Sequence, residues 1–526
     1  MREILYLQAG TFANYVGTHF WNTQESYFTY GEDENSFVCH DVSFREGLNA
    51  KAKATYCPRL MMFDRKGNYG ALARTNSSLF SEEISSSSDL WTGPTAEYKQ
   101  RQVATSPYQT KLASTPDGIE EFSPNPKDVR YWSDFNRVFY HPRSLCMLPD
   151  LPDWQDPEGD WTHGVETFSR YNQETDLMES SVRLFLEECN SFQGMQVMND
   201  TAAFGSFTRS FLTTFRDELS TAPSLVVPLL SDAAPSQRIP TKAPYTSKII
   251  NDALYLRDLH ELSLLTVPIQ TSKTWTSMTG KSLNLDGSLY HASALLSAHT
   301  ESVTLPLRLT SSRESMDTFA AQLNWNGANQ FSQIGGIFPV AFQEPFFEDI
   351  LDLSIPSRHI SMNCFARKDV TRGLDTPILQ AYNDWSSSFQ STTFASVHMP
   401  AYPLPSSFPD FFKNESILES RNKLPPREVD RNSPRVLRVT PSVTSLSFLA
   451  STSETGKLFA AYAKYIETYV ERRKSGEQVS MGADELDGLR ELSNDLWTIH
   501  DGYSIDTDEL YSVEADVVDG DGDIGE

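Results

Sequence analysis

The sequence predicts an α/β protein: a doubly wound, mainly parallel sheet, then a smaller α+β domain, then C-terminal helices. Three observations carry that expectation. Short apolar strands alternate with helical patterns over residues 1–70 and 129–310, as they do where helices cover a parallel sheet. The chain opens on an apolar strand, a glycine-containing turn and a helix. Apolar stripes at helical spacing recur near the C-terminus.

The first strand is ILYL, beginning at Ile4, and Gly10 marks the turn after it. Asn14 to Glu25 reads as a helix that turns Val16, Phe20 and Trp21 inward. Arg59 to Asp64, RLMMFD, is a second buried strand that ends in a carboxylate, the place where open α/β sheets bind ligands. Residues 74–128 are rich in Ser and Thr and lack periodicity, which predicts a surface insertion, partly disordered. Asp176 to Cys189 returns to a helix, with Leu177, Val182, Leu184, Phe185 and Leu186 on its apolar face. NSFQGMQVMNDTAAFGSF reads as a loop, and Phe207 to Leu219 as the next helix. SLVVPLL, LLTVPIQ and SVTLPLRL read as strands, separated by helices over Ile249–Leu262 and Leu289–Ala298.

A boundary is expected near residue 310. Residues 311–420 form the smaller α+β domain, with a Pro-rich connector running to about 440. Residues 441–500 hold the C-terminal helices. Leu458, Tyr462, Tyr465, Ile466 and Tyr469 form one stripe, and Leu486, Leu489, Leu492, Leu496 and Ile499 a second; both are expected to pack on the protein's own core. Residues 501–526 carry ten acidic side chains and no Lys or Arg, an acidic disordered tail.

Composition narrows the function. The net charge is −26 and no basic stripe is present, which excludes direct nucleic-acid binding through phosphate neutralisation. Five cysteines without a C-x-x-C pair suit a reducing compartment and suggest neither a disulfide framework nor a zinc site. No apolar run approaches the ~20 residues of a membrane span. The N-terminus has neither an apolar signal core nor an Arg-rich leader, so the fold is expected to start at residue 1, in the cytosol or on the cytosolic face of an organelle. No Walker A lysine motif, H-x-x-x-H pair or nucleophile elbow occurs. His141 and His260 are read as structural.

Several segments resemble the tubulin superfamily. The start, M-R-E-I-x-x-x-Q-A-G-x-x-x-N-x-x-G-x-x-F-W, is similar to a tubulin N-terminus; YCPRLMMFD, CNSFQGMQ and ALLSAHTESVTLPLRL follow in collinear order. FDRKGNYGAL, VRYWSDFNRVFYHPRSL and YPLPSSFPDFF resemble instead the Misato family, a divergent tubulin-like group, and the chain is identified as a fungal-type member of it. The resemblance implies a tubulin/FtsZ-like domain over 1–310, made of a Misato segment II region over about 1–115 with the Ser-rich insertion and a tubulin-like region over 129–310. It also implies a role in mitochondrial distribution and morphology and in partitioning mitochondria and their DNA. Protein partners, cytoskeletal or chaperonin, are implied, with a location in the cytoplasm and peripherally on the outer surface of mitochondria.

The resemblance further implies a GTP site, and each of its elements is altered here. The first phosphate loop reads Gly10-Thr11-Phe12-Ala13-Asn14, with a bulky ring where a close-approaching backbone wants glycine. Asp64 keeps the strand-end acid, but Lys66 replaces a second acid near the metal and cannot ligate Mg²⁺. The third loop places Glu158 and Asp160 where the family has neutral amides. The glycine-rich signature keeps only Gly205 and Ser206, between Phe204 and Phe207. Tyr290 stands where the family reads the base with Asn, and the hydrolysis loop has no counterpart; Glu314 and Asp317 are read as a solvated face. Gly10, Thr11, Phe12, Asn14, Asp64, Lys66, Asp160, Gly205, Ser206 and Tyr290 are therefore vestigial nucleotide-site positions. No catalytic residue, metal ligand or cofactor is assigned. The expectation is a non-enzymatic protein; the competing reading is an active, self-assembling or tubulin-associated GTPase, with weak GTP binding between the two.

Overall fold

The computed structural model describes residues 2–28, 36–48, 54–72, 103–114, 126–149, 160–235, 243–275, 288–340, 350–355, 363–410, 441–474 and 483–504. Most of the Ser-rich insertion, Glu158 and the tail from residue 505 lie outside them.

A six-stranded, all-parallel sheet organises the first part of the chain. Its strands are β1 (Glu3–Ala9), β4 (Leu60–Arg65), β5 (Leu145–Leu148), β6 (Phe192–Asp200), β7 (Ser224–Leu229) and β8 (Leu265–Thr266), in the order β5-β4-β1-β6-β7-β8. The expected doubly wound sheet is observed. A small antiparallel hairpin, β2 (Phe44–Leu48) with β3 (Ala54–Pro58), leads into β4.

Side-chain alternation along β1 shows how the sheet is covered. Ile4 and Tyr6 face the core built on α1 (Thr11–Glu25), while Leu5, Leu7 and Ala9 face the opposite layer. α2 (Pro107–Ser114) also joins the α1 layer, so this part of the expected surface insertion is core: Tyr108 is fully buried. The opposite layer contains α3 (Trp161–Thr175), a π-helical turn (Met178–Val182) running into α4 (Arg183–Glu187), α5 (Thr201–Glu218) and α6 (Ala243–Leu262). A single turn, α7 (Ser272–Trp275), follows β8.

Two sequence expectations are corrected here. NSFQGMQVMND is not a loop but β6, paired on both sides and buried along almost its whole length. Two of its side-chain oxygens accept tertiary hydrogen bonds: Gln193 Oε1 from the Met316 amide, and Asn199 Oδ1 from the Tyr255 hydroxyl. SVTLPLRL is not a strand either. The helix before it, α8 (Leu289–Thr304), continues through it into a 3-10 turn over Leu305–Arg308. Every α8 residue from Tyr290 to Thr304 is buried, because α8 packs on α1 on one side and on the second sheet on the other.

That second sheet has five strands, in the order β10-β9-β15-β11-β12: β9 (Gln333–Ile337), β10 (Leu351–Asp352), β11 (Asn363–Arg372), β12 (Gln390–Met399) and β15 (Ser445–Ser451). α9 (Met316–Leu323) leads into it, and α10 (Thr376–Ser386) makes the crossover between the parallel pair β11 and β12. A two-residue pairing, β13 (Tyr402–Pro403) with β14 (Ser442–Val443), closes the connector. β15 lies inside the segment expected to be helical, and it is a central strand. The two helical stripes form α11 (Ser453–Lys474) and α12 (Ala483–Asp501), which pack as a pair on α6, with Leu458, Tyr462, Ile466, Leu492 and Leu496 in the core.

Candidate functional site

The sheet order places β1 between β4 and β6, and the connections diverge there. The C-terminal ends of these strands are therefore the switch point at which open sheets take ligands. Gly10, Asp64 and Asp200 sit at those three ends.

Asp64 is completely buried and its carboxylate is saturated. It accepts from Asn68 Nδ2 at 2.7 Å, the Arg65 amide at 2.8 Å, Asn14 Nδ2 at 3.0 Å, and Thr11 Oγ1 and Trp132 Nε1 at 3.2 Å each. Burial raises its pKa, and the hydrogen bonds from Asn68, Asn14, Arg65 and Thr11 oppose the rise. Asn68 also donates to Thr11 Oγ1 at 2.9 Å. Thr11 and Asn14 thus look inward to Asp64. Phe12 is half-buried and packs against the α1–α8 core. Lys66 is exposed at the start of a 3-10 turn, Lys66–Tyr69.

Asp200, at the end of β6, was not singled out from the sequence. It caps α5 by accepting the Ala203 amide on Oδ1 at 3.2 Å. Its other oxygen, Oδ2, accepts the Phe12 amide of α1 at 3.3 Å. Gly10 makes room for this carboxylate: its φ is 103°, and a Cβ there would lie 2.1 Å from Asp200 Oδ2. The legible signal was an Asp directly before a long apolar helix.

Gly205 and Ser206 lie within the first turns of α5, not in a loop, and are not brought to Gly10. Ser206 faces Gly164 of α3, where a Cβ would stand 2.0 Å from Ser206 Oγ. Phe207 fills the space between α3, α5 and β4, its ring centroid 5.2 Å from Phe63 and 5.4 Å from Phe168. A cleft remains there, lined by Arg65, His163, Phe204 and Phe207 among others. Asp160 caps α3 through the His163 amide at 3.1 Å.

Tyr290 begins α8 and belongs wholly to the core. Its hydroxyl donates to the Ser407 carbonyl at 2.7 Å and lies 3.0 Å from the Tyr108 hydroxyl. Its ring packs 4.9 Å from Phe135 and 5.2 Å from His19. Glu314 is not a free surface acid: it pairs with Lys368 of β11, a nearly buried amine whose pKa burial lowers.

A nucleoside polyphosphate with its magnesium does not fit these residues as they stand. The strand-end carboxylate has five donors of its own, one amide at each helix terminus is held by Asp200, and Tyr290, at the expected base-reading position, is core. Among the described residues no group of three or more His, Cys, Asp or Glu is placed to hold a metal, and no helix is long and apolar enough to cross a membrane.

Comparison with known proteins agrees with the architecture. A Misato segment II tubulin-like domain matches residues 2–114 and a tubulin domain matches residues 122–309, together more than half of the chain. Protein DML1 of Gibberella zeae is 38% identical over 335 residues, 62% of this chain and 65% of the relative. Protein dml-1 of Neurospora crassa is 36% identical over 345 residues, 64% of this chain and 63% of the relative. Protein misato of Drosophila melanogaster is 31% identical over 358 residues, 60% of this chain and 62% of the relative. The chain therefore aligns with just under two thirds of the length of each. With the segment II and tubulin domains in tandem on a six-stranded parallel sheet, the chain belongs to the Misato family of tubulin-like proteins.

Proposed function

We propose that this is a non-enzymatic tubulin-like protein that acts through its surfaces in distributing mitochondria and partitioning them, with their DNA, at cell division. The mitochondrial part of the reading rests on the family. The non-enzymatic part rests on one observation: the two carboxylates at the ends of β4 and β6 are engaged by the chain's own donors. Asp64 is consumed by five donors, and Asp200 holds the Phe12 and Ala203 amides. A phosphate oxygen brought within 4 Å of the Asp200 carboxylate would meet a repulsion of about 4 kcal/mol at an effective dielectric of 20. The partners in this reading are proteins, cytoskeletal or chaperonin, and contact with mitochondria is peripheral, from the cytoplasm.

The test is GTP binding and turnover on the purified full chain, beside depletion of the protein in cells with mitochondria imaged through division. The expected result is no steady hydrolysis, with mitochondria maldistributed on depletion. Stoichiometric GTP binding with steady turnover would replace this reading with that of an active GTPase.

A further inference from the structure

Two helices point their N-termini at one carboxylate. α1 begins after Gly10 and α5 after Asp200, on adjacent strands in register, Ala9 opposite Asn199. The first amides of a helix have no partner within the helix and carry its positive end. Asp200 supplies one oxygen to each helix, Oδ2 to the Phe12 amide and Oδ1 to the Ala203 amide. A single anion thus bridges the two termini at the switch point of the sheet, and it is covalently part of the chain.

We propose that Asp200 is the specificity-determining residue of this site: a built-in anion, seated between the N-termini of α1 and α5, that keeps phosphate groups out. Gly10 belongs to the same device. Its missing side chain admits the Asp200 carboxylate, which approaches to where a Cβ would be. The glycine that reads in the sequence as a phosphate-loop residue serves an internal carboxylate. The inference rests on the non-enzymatic reading and gives its physical cause. It separates exclusion by charge, which one substitution removes, from exclusion by bulk, which would need the Tyr290 and Phe207 packing undone.

The experiment uses the full chain and sodium pyrophosphate as probe, read by calorimetry and by the shift in thermal midpoint. The wild-type protein is expected to show neither heat nor shift at millimolar pyrophosphate. Asp200→Gly is expected to gain at least tenfold in pyrophosphate affinity, and a rise in midpoint that added salt suppresses. Asp200→Asn, which keeps a helix cap without the charge, is expected to fall between them. Folding is checked by circular dichroism. Because Asp200→Gly also removes a cap, a second measurement stands independently of binding: the urea midpoints of Gly10→Ala, Asp200→Gly and the double variant. Gly10→Ala keeps the strain of its positive φ in either background, but is expected to cost less in the Asp200→Gly background, since the carboxylate its Cβ strikes is gone. Additive midpoints would overturn the assignment. So would a folded Asp200→Gly protein that binds pyrophosphate no better than wild type. If wild type does not turn over GTP and Asp200→Gly gains nothing, the Asp200 inference alone fails; if wild type hydrolyses GTP, the functional reading fails with it.

Discussion

Glu301 of α8 accepts a hydrogen bond from Arg372 of β11 at 3.0 Å, with both side chains fully buried. The pair joins the two sheets, because α8 packs on α1 and β11 belongs to the second sheet. Others complete it. Gln24 Nε2 and the Tyr27 hydroxyl donate to Glu301 Oε1 at 2.8 and 3.1 Å, Arg372 donates to the Tyr27 hydroxyl at 2.8 Å, and Arg308 lies 3.5 Å from the same carboxylate. Removing one member of a buried ion pair leaves a charge without compensation. Glu301→Gln is therefore expected to cost about 3–5 kcal/mol in urea unfolding, with Arg372 and Arg308 left facing a neutral amide. Glu301→Leu combined with Arg372→Met is expected to cost less than the sum of the two single changes.

Asp64 gives a prediction at the strand ends. Asp64→Ala removes the acceptor for Asn14, Asn68 and Trp132 at once, and buried donors left unpaired cost about 1–3 kcal/mol each. A loss of at least about 3 kcal/mol is expected by chemical denaturation. Adding GTP and magnesium should not change the wild-type midpoint, since the role assigned here to Asp64 is internal.

Tyr290→Asn introduces the residue type expected at the base-reading position of a tubulin-like site. It also empties a packed position and deletes the bond to Ser407. The expected outcome is a loss of about 3 kcal/mol without gain of guanine-nucleotide binding, measured by unfolding and by titration with GTP.

Asp252 of α6 predicts a pH dependence. It is fully buried, accepts from Ser231 Oγ at 2.7 Å and from Thr201 and Tyr462, and burial raises its pKa to about 6. In the unfolded chain an Asp titrates near ~3.9. Between those values the folded state holds the proton and the unfolded state does not, so this group's contribution to stability rises as pH falls from about 6 towards about 4. The stability of wild type relative to Asp252→Asn should improve by roughly 1 kcal/mol between about pH 7 and pH 5. His19 and His299 act oppositely: burial lowers them to about 3 and about 4, so their stabilising effect is lost as pH falls below ~6.5. The difference between the two proteins, not the wild-type curve alone, isolates Asp252.

Local pattern reveals some of this architecture and hides the rest. The opening strand, turn and helix, the strand ending at Asp64 and the two C-terminal stripes were legible because each obeys one period and one polarity. β6 was not, because Gln193, Asn199 and Asp200 are polar in a central strand and find partners far away in sequence, among them Met316, Tyr255 and Phe12. SVTLPLRL reads as a strand by its run of Val, Thr and Leu; it instead ends α8 and turns through a 3-10 stretch, where Arg308 is buried beside Glu301. At the site, the sequence located Asp64 and Gly10 but not what they face. Asn68, Trp132 and Asp200 come from three separate segments, and only the folded chain brings them together.

The all-round burial of α8 has a consequence for dividing the protein. A boundary near residue 310 is natural on paper, where one sheet ends and another begins. A fragment cut there would carry a 16-residue helix with one flank stripped of its cover, and Glu301 would lose Arg372. The partner fragment would hold Arg372, and the α8-facing side of its sheet, open to water. Neither piece is expected to fold by itself. Expression trials and complementation experiments should therefore use the undivided chain, and single-residue changes rather than truncations are the tools that can assign its surfaces to their tasks.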